Sequence, residues 1–176
     1  MHHLMSFAEA VHVRRMVEGI AVEPKQTFWI LTLNLLFQSA TIEWCKVFGS
    51  WKEQTHWTRA MPEEDSSRLR ADLLAALQVQ PEEWKNYQEK MVEYRDRLVA
   101  HHDLNATVDK NPVFDLGLSA ASFIFDRLRE RADQDWLGGI PLSLDRWARG
   151  IAANMAPIVL KSFSASSVLG PNVPHT

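Results

Sequence analysis

No stretch of this chain alternates apolar and polar residues as a half-buried strand must. Wherever apolar residues recur, they do so at steps of three and four, the period of a helix lying on a core. That pattern restricts the chain to helices packed on helices. A first helix is expected over Leu4 to Glu18, with Met5, Ala8, Val11 and Met16 as a modest stripe and Gly19 as its stop. Pro24 precedes a second, from Gln26 to Phe48, closed by Gly49 and apolar nearly all round in its first half, as a central helix would be.

Ser50 to Pro62 carries Trp51, His56 and Trp57, an aromatic density that predicts a connector packed on the body. A third helix follows from Glu63 to Leu77 with Leu69, Leu73, Leu74 and Leu77 on one face. Pro81-Glu82-Glu83 opens a fourth, because proline fits the first turn and acids complement the helix dipole. Its spacing continues through Trp84, Met91 and Leu98 to His102. Asp103 to Pro112 reads as a polar loop, Val113 to Ala132 as a fifth helix, and Gly138-Gly139-Ile140-Pro141 as a break. A sixth starts near Ser143, with Pro157 expected to kink or interrupt it. The expectation is an all-α, up-and-down helical bundle of five to six helices over residues 1–163, with a mobile tail over 164–176.

The 176 residues suffice for one domain with a real core; a chain of this size hides about 70% of its unfolded surface. A net charge of −3 gives no global attraction to nucleic acid, so RNA binding would need a local patch. The one cysteine, Cys45, excludes an internal disulfide and fits a reducing compartment; it reads as a buried small hydrophobe. Neither a signal-type N-terminus nor a bilayer-length apolar window is present, so a cytoplasmic protein with no membrane partner is expected.

The chemistry concentrates in Tyr94-Arg95-Asp96-Arg97-Leu98-Val99-Ala100-His101-His102-Asp103. A guanidinium can clamp a phosphate through paired hydrogen bonds, and an imidazole moves protons near neutral pH. On one straight helix Arg95 and His102 share a face, whereas Arg95 and His101 stand about 120° apart. For Arg95 and His101 to work together, the helix must unwind before His101 or a second copy must complete the site. The plainer alternative leaves both histidines at a helix C-terminus, where cations are favoured, and Arg95, Asp96 and Arg97 as a solvated face.

Glu43, His56, His101, His102 and Asp103 are metal-capable, but no two histidines have the spacing that pairs ligands on a helix, so neither a metal nor a cofactor is expected. Arg127, Arg129, Arg131, Arg146 and Arg149 are diluted by Glu130, Asp133, Asp135 and Asp145 and read as a solvated charged face. His56, between tryptophans, is expected to be packed or hydrogen-bonded, with a supporting role if it lies near the site.

The run from Tyr94 to His101 resembles the signature of the HEPN superfamily, in which an Arg and a polar neighbour precede a His by a few residues. Five residues separate Arg95 from His101 and six separate it from His102; the Ala before His101 favours that histidine. Ile42-Glu43-Trp44-Cys45-Lys46-Val47-Phe48-Gly49 and Thr55-His56-Trp57 extend the similarity toward the HEPN-like families linked to abortive infection, a bacterial phage-defence context. The resemblance covers residues 26 to 132. It implies a helical homodimer and a metal-independent endoribonuclease. Arg95 would bind the scissile phosphate, His101 would act as acid or base at the ribose 2′-hydroxyl, and Asp96 would orient one of them. His102, Tyr94 and His56 are supporting candidates, and an antitoxin or defence protein is the implied partner. Some such proteins do not cleave and serve as interaction or RNA-binding modules; a metal-dependent bundle, sensitive to chelator, is the third alternative.

Overall fold

The computed structural model describes residues 1–21, 26–50, 52–60, 63–100 and 112–167. Among them are six α-helices and no strand: α1 (His2–Ile20), α2 (Thr27–Phe48), α3 (Glu63–Leu77), α4 (Pro81–Tyr94), α5 (Asp115–Arg131) and α6 (Leu144–Ser167). The chain is an all-α helical bundle, as the three-and-four periodicity predicts.

Local chemistry sets several of the ends. Gln80 is extended, Pro81 takes the first helical position, and Glu82 and Glu83 fill the first turn of α4. The Ser143 hydroxyl accepts the Arg146 N–H at 3.3 Å and so opens α6. Beyond Leu77 the chain leaves α3 through Gln78 at φ 55°, and the Val79 N–H returns to the Leu74 carbonyl at 3.3 Å.

Cross-contacts fix the directions. α1 packs most extensively on α2 and α6. His12 meets Asp145 near the start of α6, while Trp29 meets Phe163 and Ser166 near its end. Hence α6 runs parallel to α1 and antiparallel to α2. Gln88 donates to the Phe48 carbonyl, the Cys45 thiol meets the Met91 carbonyl, and Tyr94 packs edge-on to Phe37. α4 therefore descends along α2, from its C-terminus toward its N-terminal half.

Two cores result. The larger joins Phe7 and Val11 of α1, Trp44 and Phe48 of α2, Leu73, Met91, Ile124 and Phe125. The smaller lies where α1 ends, α2 begins and α6 ends, around Val13, Val17, Ala21, Trp29 and Ala152.

Four sequence expectations need correction. Gly19 does not stop α1, which runs to Ile20; the glycine faces solvent, and one exposed helical glycine costs only about 1 kcal/mol. Pro157 does not interrupt α6: it lies on the exposed side, where water can serve the carbonyl its ring leaves unpaired. The helix also continues to Ser167, so residues 164–167 belong to it and not to a tail. Finally, α2 is not buried all round, since Phe28, Ile30, Leu31 and Leu35 are exposed; α1 packs extensively on both α2 and α6. The connector before α3 is packed as expected, with His56 and Trp57 buried. No described helix is long and apolar enough to cross a membrane.

Candidate functional site

α4 ends at Tyr94, and the backbone passes without a break into a π-helical turn, Arg95–Ala100. Such wider turns interrupt regular α-helices rarely and recur at functional sites. The α-helical register therefore widens at the arginine of the motif, a change of helix type and not the unwinding before His101 that the motif would need. His101, His102 and the loop from Asp103 lie outside the described residues, so the histidine half of the candidate site is not placed.

Arg95 is half-buried. Its Nε donates to Asp96 Oδ1 at 2.8 Å, a charge-assisted bond between sequence neighbours. That bond, first among the causes, raises the guanidinium pKa further, and Cys45 and Glu53 act in the same direction against burial. Glu53 belongs to the connector after α2, which is tied down where the Thr55 hydroxyl donates to the Lys46 carbonyl at 2.7 Å. Arg95 is thus set against α2 and its own neighbour, with Glu53 of the connector near enough to add a weak electrostatic pull.

Cys45 faces the same turn from α2. It is buried, its thiol donates to the Met91 carbonyl at 3.6 Å, and burial pushes its pKa up to about 12. At neutral pH it is a protonated thiol that fills space and is no nucleophile. On the outer side of α4, Lys85, Gln88, Glu89, Val92 and Glu93 line an open groove of about 410 Å³ with Gly49 and Ser50. Steps of three and four carry that helix face from Val92 to Asp96, so the groove leads toward the Arg95–Asp96 pair.

Among the described residues, neither Tyr94 nor His56 bonds to Arg95. Tyr94 is buried against Phe37, and burial raises its phenol pKa despite the nearby Arg14; it is a core residue. His56 is buried beside Trp57, with Nδ1 2.7 Å from the Thr58 hydroxyl. Burial, then the charges of Arg70 and Arg59, lower its pKa to about 4, so it is neutral at pH 7. The charges it senses are those of the α3 side and not those around Arg95.

Two polar clusters escaped the sequence reading. Glu43 bridges His3 Nδ1 and Lys46 Nζ, each at 2.6 Å; these bonds outweigh burial and hold its carboxyl below the ordinary range. His12, buried in α1, has its Nε2 3.0 Å from Asp145, which also accepts from Arg149 at 2.7 Å. Burial leads in lowering the His12 pKa over the opposing pull of Asp145, making the contact a hydrogen bond of a neutral imidazole. Partners 133 residues apart leave no local sequence signal. Among the described residues no three His, Cys, Asp or Glu side chains converge to hold a metal. Of the arginines set aside as a charged face, Arg127 pairs with Glu130 and Arg149 with Asp145. Comparison with protein-family models, with curated proteins and with solved structures finds no match to this chain.

Proposed function

We propose that this chain is an HEPN-like, metal-independent endoribonuclease of a bacterial phage-defence or toxin-type system, working in the cytoplasm as a homodimer. One observation carries the reading. Arg95 stands where α4 widens into a π turn, and Asp96 holds its Nε–H at 2.8 Å. A phosphate would then be met by the terminal nitrogens of a guanidinium already fixed in orientation.

In that role Arg95 binds the scissile phosphate and stabilises the charge that grows on it. His101 takes the proton from the ribose 2′-hydroxyl as the 2′ oxygen bonds to phosphorus. The bond to the 5′ oxygen breaks, that oxygen leaves with a proton, and a 2′,3′-cyclic phosphate remains. His102 is the alternative base. A second copy brings its motif to the same substrate, and an antitoxin or defence protein is the partner that restrains the enzyme.

Of the second reading, a non-catalytic interaction or RNA-binding module, the interaction form is favoured by one specific observation: Asp96, and more weakly Glu53, set negative charge against Arg95, which opposes a phosphate. Incubating purified protein with mixed RNA in excess EDTA, beside Arg95→Ala, His101→Ala and His102→Ala, decides between the two. Metal-free cleavage ending in cyclic phosphate, lost with Arg95→Ala and with one histidine variant while helicity persists, is the expected result. Intact RNA with the native chain, or equal cleavage by Arg95→Ala, rejects the nuclease reading.

A further inference from the structure

α3 packs on α5, and where they meet lies a cavity of about 200 Å³. It is lined by the buried Leu69, by Arg68 and Asp72 of α3 and by Arg127, Glu130 and Arg131 of α5. None of these residues belongs to the Arg95 turn or to the groove beside it. Leu69 apart, the lining is charged, three guanidinia against two carboxylates.

The charges are not all paired off. Arg127 closes an i,i+3 bridge to Glu130 at 2.9 Å and lies over the Phe123 ring, its Cζ 5.3 Å from the ring centre. That guanidinium is held in place and still has N–H groups to donate. Arg68 and Asp72 behave differently. They stand one turn apart on α3, within reach of an i,i+4 bridge, but with the basic residue first, the weaker order for such a pair. Among the described residues neither makes an ion pair or a hydrogen bond. A guanidinium and a carboxylate therefore line one cavity without neutralising each other.

That combination restricts the ligand. A simple anion suits the arginines but is opposed by Asp72, and a cation suits Asp72 but is opposed by three arginines. A phosphate that keeps a proton satisfies both. Its bare oxygens accept from guanidinia, and its hydroxyl donates to a carboxylate. Inorganic phosphate keeps such a hydroxyl throughout the neutral range, and a monoester keeps it as the monoanion, losing it with a pKa of about 6. Sulfate and the phosphodiesters of a nucleic-acid backbone have none at neutral pH, so an unpaired carboxylate selects against them.

We propose that the cavity between α3 and α5 binds a protonated phosphate group, free or at the end of a monoester. Arg68, Arg127 and Arg131 hold its bare oxygens, and Asp72 accepts from its hydroxyl. The site goes beyond the nuclease reading and does not rest on it, since the phosphate that Arg95 would meet is a diester. Calorimetric titration of the full chain with inorganic phosphate, sulfate and AMP, at pH 7 and fixed ionic strength, tests it. Phosphate is expected to bind at least about tenfold more tightly than sulfate, the effect of one hydrogen bond to a charged group. Asp72→Asn is expected to narrow that preference to within about threefold, because its amide also donates to sulfate. Arg68→Gln is expected to weaken phosphate by about tenfold, whereas Arg146→Gln, which removes the same charge from an exposed position on α6, leaves it unchanged. AMP binding as tightly as phosphate assigns the site to a monoester, and AMP binding about tenfold more weakly assigns it to the free ion; either result supports the site. Equal affinity of the native chain for phosphate and sulfate, equal effects of Arg68→Gln and Arg146→Gln, or no binding of phosphate at tens of millimolar overturns the proposal.

Discussion

Gly117 of α5 lies so close beneath Tyr87 of α4 that a Cβ there would stand 2.6 Å from the phenol oxygen. It would also come within 3.1 Å of Trp44 Nε1 and 3.2 Å of Phe7 Cζ. None of these side chains can step aside cheaply, because the Tyr87 hydroxyl is bonded to the Val113 carbonyl at 3.1 Å and Trp44 and Phe7 are fully buried. Gly117→Ala is therefore expected to destabilise the fold by about 1–3 kcal/mol, the usual cost of overfilling a packed core. Chemical denaturation monitored by circular dichroism measures it, and an unchanged midpoint would contradict this account of the packing.

Gln78 presents the opposite case. It occupies a left-handed conformation, φ 55°, where α3 ends, a position that glycine adopts without strain. Gln78→Gly should stabilise by about 0.5–1 kcal/mol, raising the thermal midpoint by a few degrees, about 2–4 °C per kcal/mol at this chain length. A midpoint that falls would show that the Gln78 side chain contributes more than its backbone costs.

The buried His56 makes stability depend on acid. Its folded pKa, lowered to about 4, lies below the ordinary value of 6.5 that the unfolded chain recovers. Between those values the unfolded state binds the extra proton, so stability is full above about pH 6.5 and declines as pH falls toward 4, by about 3 kcal/mol. His12, also lowered, adds to the same slope. Denaturant midpoints measured from pH 7.5 to 4.5 should drift downward in the native protein and less steeply in His56→Gln. Equal slopes would mean that His56 titrates normally.

Asp96 tests the orientation of Arg95 without removing its charge. Asp96→Asn keeps an oxygen acceptor for Nε–H but loses the charge that strengthens the bond, whereas Asp96→Ala loses both. If Asp96 positions Arg95, RNA cleavage in EDTA should fall in the order native, Asn, Ala, with folding stability within about 0.5 kcal/mol of native for so exposed a carboxylate. Faster cleavage by Asp96→Ala would mean instead that its negative charge repels the phosphate.

The helices were legible where one face alone decides burial. In α3 the stripe of Leu69, Leu73, Leu74 and Leu77 marks the inward face, and the helix spans Glu63–Leu77 as expected. α2 misled because hydropathy records that a side chain is apolar and not what covers it; Phe28 and Trp29 read alike in sequence, yet one is exposed and the other buried. α1 carries His12, Arg14 and Arg15 among its apolar residues, so its sequence shows only a modest stripe. Its place between α2 and α6 depends on contacts such as His12 with Asp145 that no local pattern announces. Arg95 and Asp96 could be found because neighbours in sequence pair directly. Cys45 and Glu53 reach Arg95 only through the packing of α2 and its connector.

The division into two cores has an optical consequence. In the larger, Trp44 stands 5.1 Å from Phe48, 6.0 Å from Trp84 and 5.4 Å from Tyr87, ring centre to ring centre. Indoles that close couple their transitions and give near-ultraviolet circular dichroism that vanishes once their mutual angle is lost. Trp29 sits apart in the smaller core, its Nε1 bonded to the Ser166 hydroxyl and its ring against Phe163. Replacing Trp29 with Phe would subtract the emission of the smaller core and leave the coupled indole signal intact, so loosening at either end of the bundle could be followed in one cuvette.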